Sequence, residues 1–142
     1  MSALRSLFLA ALAGAALPTA AADYQLNGGI VRFSAPADWA VAMQMSEGNP
    51  QVVAFAVRDP AAEGTDEGPR VSVTSRRLDD AAAFQALVNG ALDKARQQSG
   101  YEQDKDNADS ASLRFYASEG KARYHYREHF YYKAGIGVQL RC

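Results

Sequence analysis

Hydrophobic and polar residues alternate in several short runs along the first half of the chain, which is the period of a β-strand with one buried face. In the stretch RVSVTSRRL, for example, the valines fall on one side and polar residues on the other. Pro36, which cannot donate to a β-ladder, ends the first run. An acidic loop at residues 59–69 precedes the last. We predict strands at residues 30–34, 41–45, 51–58 and 70–78.

One segment has the period of an α-helix instead. Between residues 80 and 98, apolar side chains recur at the spacing that places them on a single stripe. Asp79 is a candidate N-cap, Asp80 adds negative charge to the first turn, and Gly100 is a stop signal. The stripe predicts that the helix packs on a sheet. Its residues are Phe84, Leu87, Val88, Ala91, Leu92 and Ala95.

The remaining strands follow an acidic connector at residues 101–110. Short connections containing Gly120 and Gly135 are typical of β-hairpins, so the tail is predicted to be an antiparallel meander. Strands, one long helix and further strands indicate an α+β domain, in which one long α-helix packs on an antiparallel sheet. The predicted tail strands are residues 113–118, 122–133 and 136–142.

Residues 121–133 (KARYHYREHFYYK) have two chemically different sides when they are extended. One side carries aromatic residues and Glu128, and the other is basic. In one interpretation the aromatic side packs on the core and the charged side faces water. In the other, the basic side binds an acidic partner surface, because arginine and tyrosine are frequent at interface hot spots. The candidate partner-binding residues are Arg76, Arg114, Arg123, His125, Arg127, His129, Tyr131 and Lys133, with Arg141 as a further basic residue of the same surface.

The N-terminal residues have the pattern of a secretory signal peptide. Arg5 gives a basic start, residues 7–17 (LFLAALAGAAL) are apolar, and small residues precede a cut before Asp23. The run is shorter than the roughly 20 residues of a membrane-spanning helix. Alternatively, the apolar run is an N-terminal helix of the folded domain and not a signal peptide. We therefore expect removal of residues 1–22, a single domain at residues 23–142, and a periplasmic or secreted protein with no further membrane insertion.

Composition narrows the range of functions. A chain of 142 residues suits one domain with one core. Its 15 Lys+Arg against 16 Asp+Glu give no general attraction to nucleic acid or anionic membrane. Charge is uneven, since residues 110–142 carry 6 basic and 2 acidic side chains. A single cysteine excludes an intrachain disulfide. Cys142 either belongs to a terminal strand or pairs between molecules.

The short strand that runs into Ala35-Pro36-Ala37-Asp38-Trp39, together with the element order and the final paired strands, resembles the Mog/PsbP-like superfamily and its DcrB-type bacterial members. The resemblance covers most of residues 24–142. It implies an α/β/α sandwich and mostly non-enzymatic roles as binding or assembly factors. Such domains commonly add a helix after the last strand, whereas this sequence stops at Cys142. Either this branch lacks that helix, or the sequence is a truncated fragment. An uncovered sheet face would then be a docking surface or an aggregation hazard.

Catalytic and ligand-binding patterns are sparse. The sequence contains no GxSxG elbow and no glycine-rich nucleotide loop. His125 and His129 share one side of a predicted strand but stand roughly 13 Å apart, too far to chelate one ion. The acidic residues at 104–109 lack the positions of a calcium loop. We expect no enzyme, no catalytic residue, no metal and no cofactor. Trp39 is either a core anchor or one wall of a ligand groove.

The leading hypothesis is therefore an exported, non-enzymatic domain that docks on another protein. Its sharpest form is an immunity protein that neutralises a secreted antibacterial toxin in the periplasm. The partner would then be a secreted effector or an envelope component. Two alternatives stay open: a small-molecule or lipid-binding module with a groove beside Trp39, and an envelope assembly or maintenance factor.

Overall fold

The computed structural model describes residues 20–57, 70–106 and 111–142. The proposed leader up to residue 19 and the acidic loop at residues 59–69 lie outside these ranges, as does part of the connector at residues 101–110. The described residues contain β1 (Ala21–Leu26), β2 (Val31–Pro36), β3 (Ala40–Met45), β4 (Gln51–Ala56), β5 (Arg70–Arg77), α1 (Ala81–Arg96), β6 (Glu102–Gln103), β7 (Ser112–Glu119), β8 (Ala122–Lys133) and β9 (Ile136–Arg141).

All seven predicted strands are present, each overlapping its predicted range. Two strands, β1 and β6, were not predicted. The ladder between β1 and β2 begins at Ala21 and Ala22, which pair with Pro36 and Ala35. A leader cut before Asp23 would therefore shorten β1 by its first two residues.

The strands form a seven-stranded sheet in the order β3-β4-β5-β9-β8-β7-β6 and a separate two-stranded hairpin, β1–β2. Every neighbouring pair is antiparallel. The predicted meander β7-β8-β9 is confirmed. The pairing of β5 with β9 brings the last strand to the centre of the sheet. The architecture of the described residues is α+β, with one α-helix and an antiparallel sheet.

The β1–β2 hairpin packs on one side of the large sheet, which we call the hairpin face. Residues directly opposite each other in antiparallel strands share a face, so the pairs Val53↔Val73 and Val73↔Leu140 lie on this side. Tyr24 of the hairpin meets Phe55 edge-on, with ring centroids 5.0 Å apart. The buried residues of this cluster are Leu26, Ala35, Val53, Phe55 and Val73.

The helix packs on the opposite side of the sheet, the helix face, over β7 and β8. Its predicted stripe contacts this side: Phe115 is fully buried, and Phe130 is almost so. Near the helix start, Gly137 lies so close to Leu78 that a Cβ there would be 2.6 Å from its Cδ1. The buried residues of this second cluster are Ala95, Leu113, Phe115, Ala117 and Phe130.

The helix begins one residue later than the cap prediction required. Asp80, not Asp79, is the N-cap, because its Oδ1 accepts a hydrogen bond from the Ala83 N–H at 2.8 Å. The predicted cap at Asp79 is therefore wrong. Asp80 has the extended backbone of an N-cap, whereas the prediction placed it within the first turn.

The two covers lie over different strands. The hairpin packs near β4, β5 and β9, and the helix packs over β7 and β8. Among the described residues, the hairpin face above β7 and β8 therefore has neither cover. Arg123, Arg127 and Lys133 are exposed there, and Tyr131 is 57% exposed.

Candidate functional site

The uncovered part of the hairpin face carries most of the basic residues singled out from the sequence. On β8 the odd-numbered side chains point to this side, because His129 pairs with Leu140 of the hairpin cluster. Arg114 of β7 joins them, since it lies directly opposite Arg127. We call the set the open basic surface: Arg114, Arg123, His125, Arg127, His129, Tyr131 and Lys133.

Arg76 and Arg141 do not belong to this surface, which corrects the sequence prediction. Both lie on the helix face, in register with Gly137 and Glu128 respectively. Arg141 places its Nε 3.4 Å from Oε1 of Glu128 and its guanidinium over the ring of Tyr126. The placement of both arginines follows from the cross-strand register, which pairs β5 with β9. It cannot be read from the alternation of residues within a single strand.

Glu128 is the charged residue of the aromatic side of β8, and it is only 3% exposed. Gln139 donates its Nε2–H to Oε2 of Glu128 at 2.7 Å. Burial raises the pKa of the carboxyl group, against the lowering effects of Arg141 and of the Gln139 hydrogen bond. Glu128 is therefore part of a structural polar group beneath the helix face and not of the open basic surface.

At the outer edge of the open basic surface, two basic residues are already paired with acidic residues of the same chain. Arg123 forms an ion pair with Glu102 of β6. His125 Nε2 lies 2.9 Å from Oδ2 of Asp104, which directly follows β6. The sequence predicts Glu102 and Asp104 in an acidic connector at residues 101–110. Their side-chain contacts bring negative charge to this edge of the surface.

Tyr116 forms an aromatic platform between the two pairs. Its ring stacks on His125, with centroids 4.4 Å apart and planes at 14°. The guanidinium of Arg123 lies 5.1 Å from the centre of the same ring. Ring stacking and the cation–π contact orient both basic side chains. Sequence reasoning missed Tyr116, although its spacing from Arg114 puts the two residues on one face of a strand.

Asp104 is held as a carboxylate. Its pKa is lowered, first by the hydrogen bond that its Oδ1 accepts from the Asp106 N–H at 3.0 Å, and then by the hydrogen bond and charge of His125. The charge of Arg114 acts in the same direction. Both oxygens of Asp104 are therefore engaged within the connector and with His125.

The inner part of the surface is different. Among the residues that the structure describes, Arg114 and Arg127 have no carboxylate hydrogen-bond partner. The Nε of Arg114 is buried and has no hydrogen-bond partner in the same described ranges. His129 and Lys133 continue the surface along β8, and Lys133 is exposed. The inner arginines thus lack the direct carboxylate pairs of the outer edge, although the charge of Asp104 also acts on Arg114.

Cys142 lies beside this inner part of the surface. Its backbone pairs with Arg127 in both directions, with N···O distances of 2.8 and 2.9 Å. The pKa of the thiol is raised by burial, against the lowering effect of Arg127. A nucleophilic cysteine requires the opposite shift. The thiol is therefore not activated in this arrangement.

Trp39, the candidate groove residue, is partly buried against the hairpin cluster. Its ring centroid is 5.9 Å from that of Phe55. Such packing is expected if Trp39 is a core anchor. Trp39 is remote in the sheet from the open basic surface, because it precedes β3 at the opposite edge.

The described residues contain no group of three or more His, Cys, Asp or Glu side chains that could hold a metal ion. His125 and His129 share one side of β8, a strand as predicted, and His125 is paired with Asp104. Within the described ranges, no helix has the length and apolar character needed to cross a membrane.

Comparison of the chain with protein-family models, with curated proteins and with solved structures finds no match. Its function is therefore argued from the arrangement of its own residues.

Proposed function

We propose that this protein is a non-enzymatic docking domain that binds an acidic surface of another protein through the open basic surface. The observation that carries the proposal is the cross-strand register of β7 and β8. It gathers Arg114, Arg127 and Lys133 on the part of the sheet that neither the hairpin nor the helix covers.

The residue types support this assignment. Arginine and tyrosine are enriched at interface hot spots, and the exposed ring of Tyr131 adds apolar area at the border of the surface. The edge of the surface is prearranged by Tyr116, Glu102 and Asp104, which lowers the entropy lost when a partner binds. Complementary charge would speed association and select acidic partners.

The N-terminal pattern and the Mog/PsbP-like resemblance support a more specific form of the proposal. In that form the protein is exported to the periplasm after removal of residues 1–22. There it acts as an immunity protein that neutralises a secreted toxin. An envelope assembly role uses the same surface, and the identity of the bound partner distinguishes the two roles.

The test is to express the tagged full-length chain in a bacterial host, crosslink in the periplasm, and identify stoichiometric partners by mass spectrometry. Arg127→Glu combined with Lys133→Glu should abolish the complex. Arg70→Glu is the matched control, because Arg70 is exposed and lies on the helix face. A partner retained by the double variant, or lost equally in the control, would contradict docking through this surface. Intact mass of the periplasmic protein tests the cut before Asp23.

A further inference from the structure

We propose that Arg114 and Arg127 form a two-arginine anchor for one side-chain carboxylate of an acidic segment in the partner protein. This inference rests on the proposed docking function and specifies the chemistry at its centre. It assigns the principal binding contact to the inner arginines and leaves a secondary role to Arg123 and His125, which are the more evident candidates in the sequence.

The first argument is the register. Arg114 and Arg127 are directly opposite each other on antiparallel strands. Side chains in such pairs have Cβ atoms about 5 Å apart, and like charges there are unfavourable. A bound anion between the two guanidinium groups adds two attractive interactions that offset this repulsion, because each arginine then contacts an opposite charge.

The second argument is the unsatisfied donor of Arg114. Its Nε is buried and has no hydrogen-bond partner among the residues that the structure describes. A buried N–H that lacks a partner carries a desolvation cost. Asp104 is the nearby carboxylate, but its Oδ2 is next to His125 and its Oδ1 accepts from Asp106. An external oxygen atom can supply the missing acceptor once the Arg114 side chain turns outward, because its Nε is buried in the free protein.

The third argument is a comparison within the surface itself. Glu102 and Asp104 follow each other at the two-residue period of a strand face, and they pair with Arg123 and His125. The same chain thus shows that carboxylates spaced along an extended segment match this side of β8. The next basic position inward is occupied by Arg127, with Arg114 opposite. In the described ranges neither guanidinium has a hydrogen bond or ion pair with a carboxylate, although the charge of Asp104 acts on Arg114.

The geometry of guanidinium groups favours a carboxylate as the ligand. An arginine presents planar N–H donors in a fork that matches the two oxygens of a carboxylate, which a lysine ammonium does not reproduce. An acidic peptide segment also reaches the flanking Tyr131 and Lys133, which a small free anion does not. We therefore assign the site to Asp or Glu side chains of a peptide and not to inorganic phosphate.

The experiment measures binding of a fluorescently labelled octaglutamate peptide to the purified full chain by anisotropy, at low and at physiological salt. Arg127→Gln and Arg114→Gln should each weaken binding about tenfold, and Arg127→Lys should weaken it several-fold although the charge is kept. Lys121→Gln is the control for charge alone, since Lys121 is exposed in the β7–β8 turn. It should change binding less than about twofold.

An equal loss in Lys121→Gln and Arg127→Gln would overturn the anchor, as would full competition by equimolar inorganic phosphate. Because Arg114→Gln could disturb the fold, the Nε–Hε resonance of Arg114 in the unmodified protein gives a second measurement. It should shift on addition of the peptide, and an unchanged resonance contradicts the inference. If a partner binds but ignores the Arg114 and Arg127 substitutions, the anchor fails and docking stands. If the peptide binds through the two arginines and the crosslinking yields no partner, the carboxylate site is established, but its assignment to a docking partner fails.

Discussion

His125 on β8 and Asp104, which follows β6, form a side-chain contact that reaches across β7, with Nε2 2.9 Å from Oδ2. The ring of Tyr116, on the intervening strand, stacks against His125 beneath this contact. β6 contributes only two ladder positions, at Glu102 and Gln103. The side-chain contacts of Glu102 and Asp104 therefore link this short edge strand to β8 in addition to its ladder with β7.

This arrangement predicts an acid-sensitive contribution of Asp104 to stability. Its pKa in the folded protein is lowered from 3.8 by the Asp106 N–H and by His125. A carboxyl group with a lowered pKa stabilises the folded state above its ordinary pKa, and the contribution disappears as the pH falls through the lowered value. Asp104→Asn should therefore be less stable than the unmodified protein at pH 6, and the difference should vanish near pH 2. Urea denaturation across this range measures it, with Asp106→Asn as control. A difference independent of pH would contradict the assignment.

The helix cap supplies a matched pair of substitutions. Asp80→Ala removes the acceptor of the Ala83 N–H and should lower the free energy of unfolding by about 1 kcal/mol. Asp79→Ala, one residue earlier, should have a much smaller effect, because its side chain is not the cap. Chemical denaturation of both variants measures the difference. Equal losses would show that general negative charge near the helix start, and not the hydrogen bond, is responsible.

The sequence predicts those parts of the fold that follow from the pattern of hydrophobic and polar residues within one segment. The alternation in β5 and β8 and the stripe of α1 are each visible within one segment. β6 was missed because two residues give no period, and its formation depends on pairing with β7.

The candidate site was predictable only in part for the same reason. The basic side of β8 follows from alternation, but Arg114 joins it and Arg76 leaves it through long-range register. The acidic partners Glu102 and Asp104 come from a connector whose path local sequence does not determine.

Substitution of glycine by alanine should have opposite effects on stability at Gly137 and at Gly90. Gly137→Ala places a Cβ 2.6 Å from Leu78 Cδ1 and 3.5 Å from Phe84 Cδ2, so the Leu78 side chain must shift within the packing under the helix start. Overpacking of this kind should cost about 1–3 kcal/mol. Gly90→Ala meets nothing within 4 Å and should stabilise the helix by about 0.5–1 kcal/mol. Thermal denaturation of both variants tests the close approach. A neutral Gly137→Ala would show that Leu78 moves aside at little cost.

Glu128 should destabilise the folded protein when it is ionised. Burial raises its pKa above 4.5, despite Arg141 and Gln139, so the folded state binds this proton more tightly than the unfolded state. Stability contributed by this group therefore rises as the pH falls toward 4.5. Glu128→Gln keeps an oxygen for Gln139 and should equal or exceed the unmodified protein in free energy of unfolding at pH 7. The difference should shrink at pH 4. The exposed Glu47→Gln is the control, and a clear loss of stability in Glu128→Gln would mean that the Arg141 pair outweighs burial.

Arg127, the exposed member of the anchor, should lower stability in the absence of a partner. Arg127 faces Arg114 across the β7–β8 ladder, so Arg127→Gln removes a like-charge pair. The free energy of unfolding should rise by about 0.5 kcal/mol or less at low salt, since Arg127 is exposed, and the gain should fade as salt screens the repulsion. Arg123→Gln provides the contrast: it loses the contacts with Glu102 and Tyr116 and should not be stabilising. Denaturation at two ionic strengths measures both variants. A loss of stability in Arg127→Gln would mean that the arginine has a favourable contact in the free protein, which would remove the reason for an external carboxylate at this position.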